Sequence, residues 1–219
     1  MSRLARVVVP HYPHHIVQRG NRRQDVFLKT GDYVHYLSLL KQWTEEEGIE
    51  VLAYCLMTNH VHIVVVPSDE SNLSKAIGET HRRYTRMVNF REKWTGYLWQ
   101  GRFSSCVLDE NWLLSTLAYV ELNPVKAGIV TRAWKYRWSS VHAHIKGHDE
   151  FGLISAEGLA KWAEINSWKK FLTGYSSQDT TQIAQHARTG RPLGSPEFVT
   201  QVGKLLGRDL EKKKPGPKK

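Results

Sequence analysis

Two apolar runs, Ile49 to Met57 and His60 to Val66, are separated by only two polar residues, Thr58 and Asn59. Runs of that length, rich in Val and Ile and closed at Pro67, read as strands, and the break between them is short enough for a hairpin. Around this pair the periodicity alternates. His14 to Arg19, with Ile16 and Val17 at its centre, is a candidate first strand. Tyr33, Tyr36, Leu37, Leu40 and Trp43 recur at helical spacing until Gly48 stops the helix. Leu73, Ala76, Ile77, Thr80, Tyr84, Met87 and Val88 mark a second helix, with Ser71 or Asn72 as its cap. Phe103 to Leu108 reads as a further strand. Asp109 can cap a third helix, expected to run to about Asn123 and to end at Pro124, because a residue before proline is pushed out of helical geometry. The order strand, helix, strand, strand, helix, strand, helix is an α+β pattern: an antiparallel sheet with helices packed on it. It fits the split βαβ, ferredoxin-like arrangement, which by itself says little about function.

This alternation occupies residues 1–150, with a soft boundary near Lys146 to Gly152 where Gly, His and acids cluster. Residues 151–210 carry shorter helical patterns, at Ile183 to Ala187 and Phe198 to Leu206, and read as a helical C-terminal extension. Residues 211–219 hold five lysines and two prolines and are expected to form a flexible basic tail. The charge balance points to a partner. Lys and Arg number 31 against 21 acids in 219 residues, a formal net charge of +10, which draws a protein to polyanions and to nucleic acid first. A membrane partner is disfavoured, since no run approaches the roughly 18 apolar residues of a span. Cys55 and Cys106 form no CxxC site and no disulfide framework, so the expectation is a reduced, cytoplasmic protein associated with the nucleoid.

Three groups of residues carry chemistry. In His60-Val61-His62 the strand period of two turns both imidazoles to one face, beside the apolar Ile63 to Val66. Two buried rings need partners, and either a shared divalent metal or ordinary hydrogen bonds would serve. Tyr119 and Asn123, four apart, share a helix face; read alone, a partly buried tyrosine and a C-terminal Asn cap are the favoured reading. The basic dressing comprises Arg19, Arg22 and Arg23 around Gly20-Asn21, then Arg82, Arg83 and Arg86 on the second helix, Arg102 in Trp99-Gln100-Gly101-Arg102-Phe103, and Arg191 in a Gly-Arg-Pro turn. Guanidinium groups grip phosphates, and exposed aromatic rings stack on unpaired bases; most of the eight tryptophans, Trp43 and Trp112 among them, are expected in the core.

Met57-Thr58-Asn59-His60-Val61-His62-Ile63-Val64-Val65 resembles the metal-binding strand of the HUH single-tyrosine transposases. The stretch from Ala118 to Val130, with Tyr119-Val120-Glu121-Leu122-Asn123-Pro124, resembles their tyrosine helix in the form typical of REP-associated tyrosine transposases. The stretch from His15 to Arg23, Trp99 to Phe103 and Thr189 to Ser195 are similar to further blocks of that group, in family order. The resemblance implies that His60, His62 and Asn123 hold a divalent metal, Mg²⁺ or Mn²⁺, and that Tyr119 is the nucleophile. Asn123 stands where wider relatives often carry Gln. It also implies a ferredoxin-like core, a 5′-phosphotyrosine intermediate, and single-stranded DNA substrates that fold as REP hairpins, with a short unpaired tag read at the hairpin foot. A monomer is implied, with a dimer left open. Two other readings compete: a metal-dependent hydrolytic nuclease using water, and a regulator that binds structured DNA without cutting it.

Overall fold

A computed structural model of the chain describes residues 6–162, 165, 167–175 and 180–210; the lysine-rich 211–219 stretch lies outside the described residues. The elements run β1 (His14–Arg19), α1 (Thr30–Glu46), β2 (Glu50–Met57), β3 (His60–Val66), α2 (Asn72–Glu92), β4 (Ser104–Val107), α3 (Glu110–Lys126), then five shorter helices: α4 (Val141–Lys146), α5 (Ala156–Ala160), α6 (Trp168–Gly174), α7 (Thr180–Thr189) and α8 (Pro196–Leu205). The four strands form one antiparallel sheet in the order β2-β3-β1-β4. That order is the one the split βαβ pattern anticipates.

Local chemistry fixes the ends of the elements. Met57 pairs with His60, so Thr58 and Asn59 alone turn the β2–β3 hairpin. Asp32 in the first turn of α1 accepts from the N–H groups of Leu28 and Lys29 at 2.8 and 3.0 Å, and Gly48 ends the helix with φ +62°. Asp109 caps α3 by accepting from Asn111 N.

Strand alternation divides the core. On one face Ile16, Val61, Ile63 and Val65 meet Tyr36, Leu40, Ile77 and Tyr84 of α1 and α2. On the other, Val64, Cys55 and Met57 meet Leu117, Tyr119 and Val120 of α3. α6, α7 and the turn before α8 join this second face, where Trp168, Leu172, Ile183 and Leu193 belong to the same core as α3; Leu159 of α5 packs into the first core and Phe198 of α8 into a third. Leu193 also bonds to Val107 and Asp109, covering the open edge of β4. Trp43, Trp99 and Trp168 are buried; Trp112 is only partly so.

Candidate active site

The period-two alternation of β3 sets His60, His62 and Val64 toward α3, and β1 brings His15 and Arg19 to the same face, with Arg19 paired to His60 and Val17 to His62. His62 is buried and His60 partly so. Each uses its Nδ1. His60 Nδ1 lies 2.7 Å from Asn59 Oδ1, which only accepts, so His60 carries its proton there and presents a lone pair at Nε2. His62 Nδ1 lies 2.9 Å from His15 Nε2; with the proton on His62, its Nε2 is a lone pair as well. The two rings sit 4.9 Å apart, centroid to centroid.

Across from them stands α3. Tyr119 is 8% exposed, its ring 5.7 Å from that of His62 and 5.9 Å from that of His15. Lys126, two turns on, places Nζ 5.6 Å from the Tyr119 ring. Asn123 donates Nδ2 to Tyr119 O at 2.8 Å and approaches Val120 O at 3.5 Å, so its carbonyl oxygen is the atom left for a ligand. The same contacts correct one expectation. α3 does not end at Asn123 but carries Pro124 inside it and runs to Lys126. Proline has no N–H for Val120 O, and the Asn123 amide stands in for it.

Burial raises the Tyr119 phenol above its usual pKa, while the nearby Arg19 charge acts in the opposite direction. Burial, reinforced by Arg19, pushes His60 down to about 4, and burial with His15, His60 and Arg19 holds His62 well below its usual range. At neutral pH the imidazoles are neutral, the form in which they ligate metals. Among the described residues no group of three or more His, Cys, Asp and Glu side chains is arranged to hold a metal ion. The implied set therefore depends on the amide oxygen of Asn123 as third donor. The Nε2 lone pair of His60, that of His62 when His15 accepts, and one amide oxygen are donor types that suit a divalent cation keeping water ligands.

The basic residues fall into separate places. Arg19 ends β1 opposite His60 of β3, and Asn21, Arg22 and Arg23 follow it in the next turn. Arg22 and Arg23 both hold positive φ, 52° and 61°, a strained pair secured by Asn59 Nδ2 donating to Arg23 O at 3.1 Å. Gly20 is obligatory at this turn, since a Cβ would stand 2.3 Å from Gln24 O. Arg82, Arg83 and Arg86 lie on α2, across the sheet from Tyr119; Arg82 and Arg83 pair with Glu79 at 2.6 and 3.5 Å. Arg102 sits in the loop fixed to the end of β1 by Gln100 N–H donating to Arg19 O at 2.8 Å. Arg191 donates to Leu210 O at 3.1 Å beside β4. Sequence reasoning gave no role to His15, Asn59 or Lys126. A histidine inside an apolar strand, as His15 is, was the available signal, because a buried ring requires a partner.

A histidine pair on an inner strand of the sheet is faced by a tyrosine on the helix packed there, and the family match places this arrangement in a transposase-type DNA-processing enzyme. Residues 8–123 match the family described as "Transposase IS200 like", and the chain belongs to it. The match takes in His15, His60, His62, Tyr119 and Asn123. The chain is 28% identical over 127 residues to a Haemophilus influenzae protein assigned as a REP-associated tyrosine transposase, covering 52% of this chain and 72% of that one. A solved REP-associated tyrosine transposase bound to a REP hairpin shares the fold, with TM-score 0.59 at 19% identity, over 71% of this chain and 90% of the other. The resemblance to REP-associated tyrosine transposases is thus borne out.

Proposed function

We propose that the chain cuts and rejoins single-stranded DNA at the foot of REP-type palindromic hairpins, with Tyr119 as nucleophile and His60, His62 and Asn123 holding Mg²⁺ or Mn²⁺. The observation that carries this is the placement of the Tyr119 ring 5.7 Å from His62, on the one face that collects both strand histidines and Arg19. The metal, when bound, would withdraw charge from the non-bridging phosphate oxygens.

Tyr119 Oη attacks the phosphorus, an oxygen–phosphorus bond forms, and the bond to the 3′ oxygen breaks. The proton lost from the phenol is regained at the departing 3′ oxygen. The products are a 5′-phosphotyrosine and a free 3′-OH. Because the phosphodiester energy is retained, another 3′-OH reverses the step and reseals the strand without water or ATP. Arg19, which already favours the charged form of Tyr119, supports the developing phenolate. Asn59 holds His60 in one tautomer, and His15, when it accepts from Nδ1–H of His62, orients that ring with its Nε2 lone pair free. No helix among the described residues is long and apolar enough to cross a membrane, which suits work on DNA in the cytoplasm. His62 and Tyr119 meet within one chain, which supports a monomer acting in cis.

The test is a denaturing gel of protein mixed with Mg²⁺ or Mn²⁺ and end-labelled hairpins from the palindromic repeats nearest its gene. Wild type should give a slow, protease-sensitive adduct, and Tyr119→Phe none. Cutting by both proteins without an adduct would establish a hydrolytic nuclease. Binding with no cutting under either metal would establish the regulator.

A further inference from the structure

The Asn59 side chain is spent at both ends. Its Oδ1 accepts from His60 Nδ1–H at 2.7 Å, and its Nδ2 donates to Arg23 O at 3.1 Å. The amide has one workable orientation: Arg23 O only accepts, so the nitrogen faces it and the oxygen faces the imidazole. The backbone is fastened to the same turn. Gly20 N–H donates to Asn59 O, and Val26 N–H to Thr58 O, each at 2.8 Å. The tip of the β2–β3 hairpin, next to the first ligand histidine, thus shares its hydrogen bonds with residues 20–26.

That turn is under strain. Arg22 and Arg23 are the one adjacent pair of non-glycine residues with positive φ among the described residues, at 52° and 61°. Left-handed backbone is unfavourable for a residue with a Cβ, and the strain is relieved when the pair returns to negative φ. Arg23 O would then leave Asn59 Nδ2, and the freed amide could turn away from His60. The charges push the same way. Both arginines are exposed, and among the described residues neither forms an ion pair, so two like charges stand side by side uncompensated. A phosphate gripped by both guanidinium groups removes that repulsion and holds the strained turn. The turn therefore has two arrangements. DNA at Arg22 and Arg23 and a metal at His60 favour the same one, from opposite sides of Asn59.

We propose that Asn59 is a positioning residue that couples the two captures: DNA phosphate held by Arg22 and Arg23 tightens metal binding at His60, and bound metal tightens DNA binding by the same factor. The coupling rests on the strand-cutting reading above. By it the metal centre assembles on the strand that it is to cut.

The experiment is calorimetric titration of Mn²⁺ into the Tyr119→Phe protein, in which no strand is cut. It is run with and without a saturating hairpin from the palindromic repeats nearest the gene, and the Mn²⁺ uptake of the hairpin alone is subtracted. The readout is the ratio of the two Mn²⁺ affinities. The parent should show a ratio of about ten, within the usual range for coupled sites. Anisotropy of the labelled hairpin in EDTA and in Mn²⁺ should return the same ratio. Asn59→Asp keeps an acceptor for His60 but sets an oxygen against Arg23 O, so it cuts the link and leaves the ring its partner. Arg22→Gly/Arg23→Gly holds positive φ without strain and removes the grip on phosphate. Each variant, its fold confirmed by melting curves, should lower the ratio at least threefold. Direct contact between the metal and a DNA phosphate needs neither Asn59 nor these arginines, so a smaller drop in either folded variant overturns the coupling. A parent ratio near one, with Mn²⁺ and hairpin each bound, also overturns it and leaves strand cutting intact. A parent that binds no Mn²⁺ or no hairpin overturns the strand-cutting reading along with it.

Discussion

His15 shows how much a single ring can decide. It is 1% exposed, its Nε2 meets His62 Nδ1 at 2.9 Å, and its own Nδ1 is buried without a partner. If His15 were the donor, His62 would carry its proton on Nε2, and the metal-facing atom would be blocked. The ligand role therefore requires His15 to accept. His15→Leu removes the acceptor, and Mn²⁺ affinity measured by calorimetry should fall about 10- to 100-fold, the usual cost of losing such an orienting partner. His15→Gln, whose amide oxygen can accept, should recover part of it. Unchanged affinity in His15→Leu would show that the contact does not orient His62. Tyr119, His60, His62 and Asn123 were legible from spacing and resemblance, since a period of two and a period of 3.6 state which side chains share a face. His15 was not, because its function depends on the register of β1 against β3, and register is a tertiary quantity.

At the scale of elements, α3 is the part whose placement matters most. The strand boundaries could be read closely: the His60–Val66 strand and the Asp109 cap fall where the pattern puts them. The C-terminal end of α3 could not, because a local rule about proline was overridden by a side chain, Asn123, that satisfies the carbonyls. A second device fixes the helix from outside. Glu121 is fully buried; it accepts at 2.6 Å from Ser140 Oγ and His144 Nδ1 through Oε1, and at 2.6 Å from Trp168 Nε1 through Oε2. One carboxylate thus ties the tyrosine helix to α4 and α6. Removing it strands three buried donors. Glu121→Leu should cost about 3 kcal/mol or more in urea denaturation, as expected when one partner of a buried charged network is deleted. Glu121→Gln keeps the shape and one acceptor and should cost less. Loss under 1 kcal/mol in Glu121→Leu would mean that the apolar contacts of Trp168 alone hold the extension.

Over the whole molecule, the beginning and end of the described chain close on each other. Val7 and Val9 share a small core with Val107, Phe198, Val202 and Leu210, and Arg208 donates to Arg6 O at 3.1 Å. Nothing in the local sequence pairs segments two hundred residues apart, so this seam was invisible to periodicity. It is keyed by a histidine. His14 is wholly buried, donates Nδ1–H to Tyr12 O at 2.7 Å, and accepts from Val9 N–H at Nε2 over 3.1 Å. The neutral ring uses both nitrogens, and protonation would break the bond to Val9. His81, on the buried face of α2, meets the Tyr36 hydroxyl at 2.9 Å in a similarly closed place. Burial lowers their pKa values to about 4 for His14 and about 3 for His81, from 6.5. The sign follows from linkage. Below pH 6.5 the unfolded chain takes up protons that the folded chain refuses, so stability is complete above 6.5 and declines as pH falls toward 4. Each ring contributes a slope of at most about 1.4 kcal/mol per pH unit. Urea midpoints measured in EDTA at pH 8, 7, 6 and 5 should be level for the first two and fall steeply for the last two. His14→Gln should flatten that decline, since the unfolded chain then has one fewer proton to gain. A midpoint unchanged from pH 8 to 5 would mean that these rings titrate normally, and that the seam between the two ends of the chain opens readily enough to let protons in.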